Sequence, residues 1–225
     1  MSKVITLAVM ARAPVPGHCK TRLAREIGAV LAARLAEAML RDVLTAYQAL
    51  PVDRRVLLAA PEHDGFELLS ALAPPGWHVL TQSEGDVGAR MEAAQARLRP
   101  GRVMIVGSDV PLPPLDAITQ AIEVWQDSQV LLGPAQDGGY YLIGLPLEEV
   151  RVFRDMPWST DQVFARTRAR CVELGYRLVE LPPALDVDRA ADLAPLLQML
   201  EARTERAPHT WRELNNDALW VARSE

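Results

Sequence analysis

What most constrains this chain is an alternation of two periodicities. Seven short runs rich in apolar and β-branched residues recur along it: Val4–Met10, Val56–Ala60, Trp77–Thr81, Val103–Val106, Val130–Gly133, Tyr140–Leu145 and Tyr176–Leu181. Between most of them lie longer stretches whose apolar positions repeat every three or four residues, the period of a helix with one buried face. They are Thr21 to about Ala49 with a break at Gly28, Gly65–Leu72, Asp86 to about Arg99, Leu115–Gln126, Asp161–Leu174 and a stretch from about Ala190. Strand, helix and strand in succession close into parallel βαβ units, so the pattern predicts a layered α/β fold. One pair departs from it. The six residues between Val130–Gly133 and Tyr140–Leu145 leave no room for a crossover helix. That connection must be a hairpin or a sharp redirection, which makes the sheet mixed.

The chain carries no repeat, low-complexity tract or interdomain linker, and its 225 residues suffice for one domain with a real core. We place that domain at residues 1–200 and read 201–225 as a helical tail, because Trp211, Leu214, Ala218 and Val221 recur at helical spacing. The tail packs either on the same domain or on a partner, so a homodimer is one open arrangement. The net charge of −5, with no basic block, argues against a nucleic-acid partner but leaves a single nucleotide possible. Cys19 and Cys171 stand in no zinc-binding spacing. The first apolar run stops at Arg12, too short for a secretory signal or a membrane span, and nothing later reaches spanning length. These features predict a cytoplasmic protein with no membrane partner.

Ligands of such sheets lie at the carboxyl ends of the strands, and the loops there carry the candidate chemistry. The first is Arg12-Ala13-Pro14-Val15-Pro16-Gly17-His18-Cys19-Lys20-Thr21-Arg22. Its prolines fix the chain direction, Gly17 permits a close turn, and Lys20 and Arg22 open the following helix. A helix start already offers free N–H groups and the positive end of a dipole. Cations there oppose the dipole unless an anion joins them, so the loop reads as a polyphosphate cradle rather than a plain surface turn. It is not a Walker A loop, since His18 and Cys19 separate Gly17 from Lys20, and the lone Gly17 makes no dinucleotide fingerprint.

The second loop, Gly107-Ser108-Asp109-Val110-Pro111, sets a carboxylate just past a buried strand, a suitable place for a magnesium ion that also grips phosphate. Pro111, Pro113 and Pro114 separate Asp109 from the next helix and weaken the alternative that it is only a cap. In the third loop Asp137-Gly138-Gly139-Tyr140 reads either as a plain turn or as a place of close backbone approach to a ligand. The fourth, Asp186-Val187-Asp188, puts two carboxylates on one side of extended backbone, Asp188 being the better metal ligand and helix capping the alternative. Asp192 suits the first turn of the helix that follows. A fifth segment offers Gln82, Gly85 and Gly88 near a base or ribose and Arg90 near a phosphate, although Asp86 as an ordinary cap explains much of it.

Taken in order, Pro14–Leu23, Gly85–Met91, Gly107–Pro111, Gly133–Gly144 and Asp186–Asp188 resemble the GT-A, or nucleotide-diphospho-sugar transferase, superfamily. Closest is the group of small bacterial glycosyltransferase-like proteins labelled "transferase 1, radical-SAM/selenodomain-associated", long catalogued as a domain of unknown function. More distantly the chain is similar to phospholactate guanylyltransferase and to molybdenum-cofactor nucleotidyltransferases. The likeness spans about residues 4–195 and implies a single-domain, Rossmann-like GT-A fold. That fold has three α/β/α layers around a mixed, mostly parallel sheet of about seven strands, one of them reversed. It also implies a nucleotide over the first loop, with Ser108 alongside, and Mg²⁺ (or Mn²⁺) between Asp109 and a late aspartate, Asp188 with Asp186. The acceptor region would hold Gly138, Gly139, Tyr140, Trp158, Ser159 and Thr160, with Trp158 stacked on a ring or packed in the core. The nucleotidyltransferase loop Gly-Gly-x-Ser-x-Arg-Met-Gly is replaced here by Pro-Val-Pro-Gly, which leaves Lys20 as the one cation of that loop to carry over.

Three activities are compatible with this reading. The leading expectation is nucleotidyl transfer: an acceptor phosphate attacks an NTP and releases pyrophosphate, with Lys20 and Arg22 holding phosphates. In glycosyl transfer from a nucleotide-diphospho-sugar, Asp137 would position or deprotonate an acceptor hydroxyl. A non-catalytic nucleotide-binding protein is the third.

Overall fold

The computed structural model describes residues 4–147 and 151–215. Its elements follow the sequence closely: β1 (Ile5–Ala11), α1 (Thr21–Ile27), α2 (Ala29–Gln48), β2 (Arg54–Ala59), α3 (Gly65–Leu72), β3 (Trp77–Thr81), α4 (Val87–Leu98) and β4 (Arg102–Gly107). There follow α5 (Leu115–Glu123), β5 (Gln129–Pro134), β6 (Tyr140–Leu145), α6 (Val163–Glu173), β7 (Arg177–Glu180), α7 (Leu193–Glu201) and α8 (Pro208–Leu214). Gly28 separates α1 from α2 at φ 90°, and its N–H still caps α1 by donating to the Ala24 carbonyl. The helix expected to reach Gln126 stops three residues earlier, with Val124 leaving helical geometry.

One seven-stranded sheet has the order β3-β2-β1-β4-β6-β5-β7. All pairings are parallel except those of β6, which runs antiparallel to both β4 and β5. The short β5–β6 connection is therefore a hairpin, the first of the two arrangements that its length allowed. Side chains alternate across the sheet because the strand period is two. Leu7, Val9, Leu57, Met104, Val106 and Leu142 enter one core with α2 and α5, while Ala8, Val56, Leu58, Ile105 and Ile143 enter the other with α4. This is the three-layer α/β/α arrangement.

A third apolar cluster joins Leu23 of α1, Leu35 and Met39 of α2, Leu196 of α7 and Leu214 of α8. Leu214 of the expected tail thus packs with α1, α2 and α7; Ala218 and Val221 lie outside the described residues. Asp42 of α2, 1% exposed, accepts hydrogen bonds from the backbone N–H groups of His209 (3.1 Å) and Thr210 (2.7 Å), satisfying free donors in the first turn of α8. Among the described residues no helix is long and apolar enough to cross a membrane.

Candidate active site

The carboxyl ends of β1, β2, β3 and β4 open onto a cleft of two lobes. The first, about 590 Å³, is lined by Arg12, Lys20, Arg22, Gln82, Gly85, Asp86, Arg90 and Ser108 among others. The second, about 670 Å³, is lined by Asp137, Gly139, Tyr140, Ser159, Thr160 and Asp161 with an apolar wall that includes Met10, Met91 and Val163. Both lobes share Met10, Arg22, Val87, Asp109, Trp158, Ser159 and Asp188, so they are two halves of one groove that meet at the Asp109–Asp188 pair.

That pair is closed by Lys20. Its Nζ lies 2.5 Å from Asp109 Oδ1 and 3.3 Å from Asp188 Oδ1, and it donates to the Val187 carbonyl at 2.5 Å. The Lys20 side chain is only 7% exposed. Burial works against its charged form, yet attraction to Asp109 and then Asp188 outweighs it, and the pKa is raised. Lys20 reaches this position from a left-handed backbone (φ 44°) at the start of α1. The Val187 N–H donates to the Asp109 carbonyl at 3.0 Å, which binds the loop after β4 to the loop after β7. Arg22 touches Asp188 more loosely, at 3.4 Å, and stays half exposed. Sequence reasoning assigned Lys20 to phosphate and the two carboxylates to metal; in the folded chain the three form one ion cluster.

The donor set suits a hard divalent cation. Two carboxylates reach a common cation, and no group of three Asp, Glu, His or Cys side chains able to hold a metal exists among the described residues. Magnesium is characteristically held by one or two carboxylates with substrate phosphates and water completing the shell, so Asp109 and Asp188 fit it. Asp186 lines neither lobe. Burial, followed by the nearby charges of Asp137 and Asp188, pushes its carboxyl up to about 6.

Several other candidate residues lie where their chemistry is already engaged. Arg90 donates to Gly85 O (3.0 Å), Gln82 Oε1 (3.4 Å) and Glu62 Oε1 (2.8 Å), so its guanidinium clamps the loops after β2 and β3 while also lining the first lobe. Gly88 faces no open space for a base, because an added Cβ would lie 2.5 Å from the Trp158 indole. Ala13 is buried in the core, and Pro14 and Gly17 do not line the groove. Asp86 caps α4 through Ala89 N–H at 2.8 Å while also lining the first lobe. Asp137 Oδ1 accepts the Gly139 N–H at 2.7 Å, so it shapes its own turn. Gly138, at φ 88°, presses on the Asp161 backbone, where a Cβ would come within 2.3 Å of the carbonyl oxygen. That contact sets the hairpin against the Ser159–Thr160 segment.

Arg12 is exposed and engages no hydrogen bond or ion pair among the described residues. It faces the first lobe together with Arg22. Sequence reasoning missed Arg189, which lines the second lobe and directly follows Asp188 in the same loop. It also missed the Glu62–Arg90 clamp and the apolar wall of Met10, Met91 and Val163. A methionine or valine that ends a strand or opens a helix reads as core until the fold shows an open face.

A family model described as an uncharacterised protein conserved in bacteria, DUF2064, matches residues 39–160. The chain belongs to the DUF2064 family. The match includes Asp109, Asp137 and Trp158 but not Lys20 or Asp188. Among solved structures, a Desulfovibrio desulfuricans protein provisionally described as a nucleotide-diphospho-sugar transferase is 28% identical, with 98% of this chain and 97% of that chain covered and a TM-score of 0.82. A Methanothermobacter nucleotidyl transferase shares the fold at 16% identity, 88% and 98% coverage and TM-score 0.58. So does a Mycobacterium tuberculosis protein solved with manganese, at 19% identity, 87% and 98% coverage and TM-score 0.53. The fold is thus the Rossmann-like one expected for the GT-A-like superfamily. Among curated proteins no significant match was found.

Proposed function

We propose that this DUF2064 protein is a divalent-metal-dependent transferase that moves a group from a nucleotide donor in the first lobe to a small acceptor in the second. The observation that carries this reading is the junction. Asp109 and Asp188 stand where the two lobes meet, beside Lys20 and Arg22, with Arg12 and Ser108 further along the first lobe. A group leaving a nucleotide must cross such a junction, and the leaving phosphates need cations on their own side of it. Arg12, Lys20 and Arg22 supply that side and hold the donor's orientation. When bound by Asp109 and Asp188, Mg²⁺ or Mn²⁺ would neutralise charge gathering on phosphate oxygens.

The charge of the second lobe favours a nucleotide-diphospho-sugar as donor and a hydroxyl as acceptor. Asp109, Asp137, Asp161 and Asp188 line that lobe with Arg22 and Arg189, and the Lys20 ammonium is bound to the first and last of the four. Asp137 and Asp161, which Lys20 does not touch, keep their negative charge on the acceptor side and do not attract a phosphorylated acceptor. Asp137, with Oδ1 held by the turn, has Oδ2 left to take the proton of a hydroxyl. Nucleotidyl transfer is the second reading, supported by Arg22 and Arg189 beside the junction, where an acceptor phosphate could lie.

Thermal-shift screening of NDP-sugars and NTPs, each with Mn²⁺, tests the reading. NDP-sugars should raise the melting temperature in a metal-dependent way, and Asp109→Asn should abolish the metal dependence. Pyrophosphate release from an NTP in the presence of a phosphorylated acceptor would establish the second reading. If neither donor class stabilises the protein, both readings fail.

A further inference from the structure

The Asp109–Asp188 pair already holds a cation that belongs to the chain. All three protons of the Lys20 ammonium are engaged, by Asp109 Oδ1 at 2.5 Å, Asp188 Oδ1 at 3.3 Å and Val187 O at 2.5 Å. The ammonium lies against the Oδ1 atom of each carboxylate, so a metal ion taking those oxygens would meet it at contact distance. Asp188 Oδ2 already faces Arg22 at 3.4 Å, so a metal reaching Asp188 competes with Lys20 for Oδ1. We propose that Lys20 is the resident counter-ion of this pair and must leave it before a divalent cation enters, so that metal and donor nucleotide bind cooperatively. The inference rests on the transferase reading above and adds a positioning role for Lys20 that a phosphate contact alone would not give it.

The structure supplies both the obstacle and the exit. With its side chain 7% exposed, an ammonium driven from the carboxylates loses its partners in a confined place, and a metal arriving alone must bear that cost. Lys20 also lines the first lobe alongside Arg12 and Arg22, where the donor's phosphates would lie. Its four-carbon stem can change direction while the backbone at the start of α1 stays fixed. A nucleotide therefore gives the displaced ammonium a new anion, and the metal gains an emptied site together with phosphate ligands. By linkage the effect is reciprocal: metal must strengthen nucleotide binding by the same factor. In the resting state Lys20 keeps Asp109 and Asp188 from repelling one another, so the ligand pair is assembled before the metal arrives.

The test counts free Mn²⁺ by electron paramagnetic resonance, in the presence and absence of an equimolar mixture of ADP, CDP, GDP and UDP, with protein-free controls for Mn²⁺–nucleotide complexes. Wild-type protein should bind Mn²⁺ weakly alone and about 10-fold or more tightly with nucleotide present. Lys20→Met should bind Mn²⁺ alone about 10-fold more tightly than wild type and lose most of the nucleotide enhancement. Equal Mn²⁺ affinity with and without nucleotide in the wild type would overturn the inference, and that measurement needs no variant to fold. Unchanged or weaker metal binding by folded Lys20→Met would overturn it too, while leaving the metal site standing. Absence of Mn²⁺ binding in every form would remove the metal site itself and the inference with it.

Discussion

Replacing Gly88 by alanine should destabilise the protein, and the same substitution should stabilise it once Trp158 is gone. Gly88 lies in the first turn of α4 without a positive φ, so its backbone suits alanine. The obstacle is the indole: an added Cβ would sit 2.5 Å from two atoms of the Trp158 ring and 2.6 Å from a third. Carbon contacts settle at about 3.5–4.0 Å, so ring or helix must yield by about 1 Å. Overpacking of this kind costs about 1–3 kcal/mol. Against it stands the helix preference of alanine over glycine, at most about 1 kcal/mol and less near a helix end. The net effect in the wild type is a loss. In a Trp158→Ala background the clash disappears and only the gain remains. Urea unfolding of the four proteins in this cycle should therefore give a coupling energy of about 1–3 kcal/mol and a change of sign. If Gly88→Ala costs the same in both backgrounds, the constraint lies elsewhere and the indole does not pack on this helix as described. The cycle bears on function because Trp158 lines both lobes of the groove.

Two further perturbations test what holds the groove's surroundings. Asp42→Ala removes a buried carboxylate that accepts two backbone N–H groups of α8; equilibrium unfolding should show a loss of about 3 kcal/mol, and a loss below about 1 kcal/mol would mean that water replaces the cap. Glu62 is held below the ordinary glutamate range, chiefly by its hydrogen bond from Arg90. Its unfolded form takes up a proton more readily than its folded form, so the Glu62–Arg90 contribution is fully present above the ordinary glutamate pKa and is lost as pH falls through the lowered one. Glu62→Gln should flatten the acid limb of the stability profile below about pH 4.5 relative to wild type; an unchanged limb would show that the clamp does not act through this carboxylate.

Much of the fold was legible because it rests on local periodicity. Gly65–Leu72, Trp77–Thr81 and Tyr140–Leu145 begin and end in the structure where their apolar patterns do. The reversal of β6 followed from a connection too short for a helix, and it is antiparallel to both neighbours. The site was legible to a different degree. Lys20, Asp109 and Asp188 come together because each follows a strand or opens a helix at one end of the sheet, and Trp158 joins them although β6 before it ends at the opposite end. Gly88 packs on the Trp158 indole and Asp186 lines neither lobe, while Arg90 lines the first lobe with its guanidinium already engaged by Glu62.

The sequence by itself determined the layered α/β class, the mixed sheet and the set of loops that carry charge, since each depends on spacing along the chain. Tertiary structure alone decided what each charge faces. Lys20 and Asp188 are 168 positions apart, and nothing local tells a lysine at a helix start whether it will meet phosphate or carboxylate. That choice was made when β4 and the loop after β7 were brought beside α1, burying the ammonium against two carboxylates that themselves keep contact with solvent.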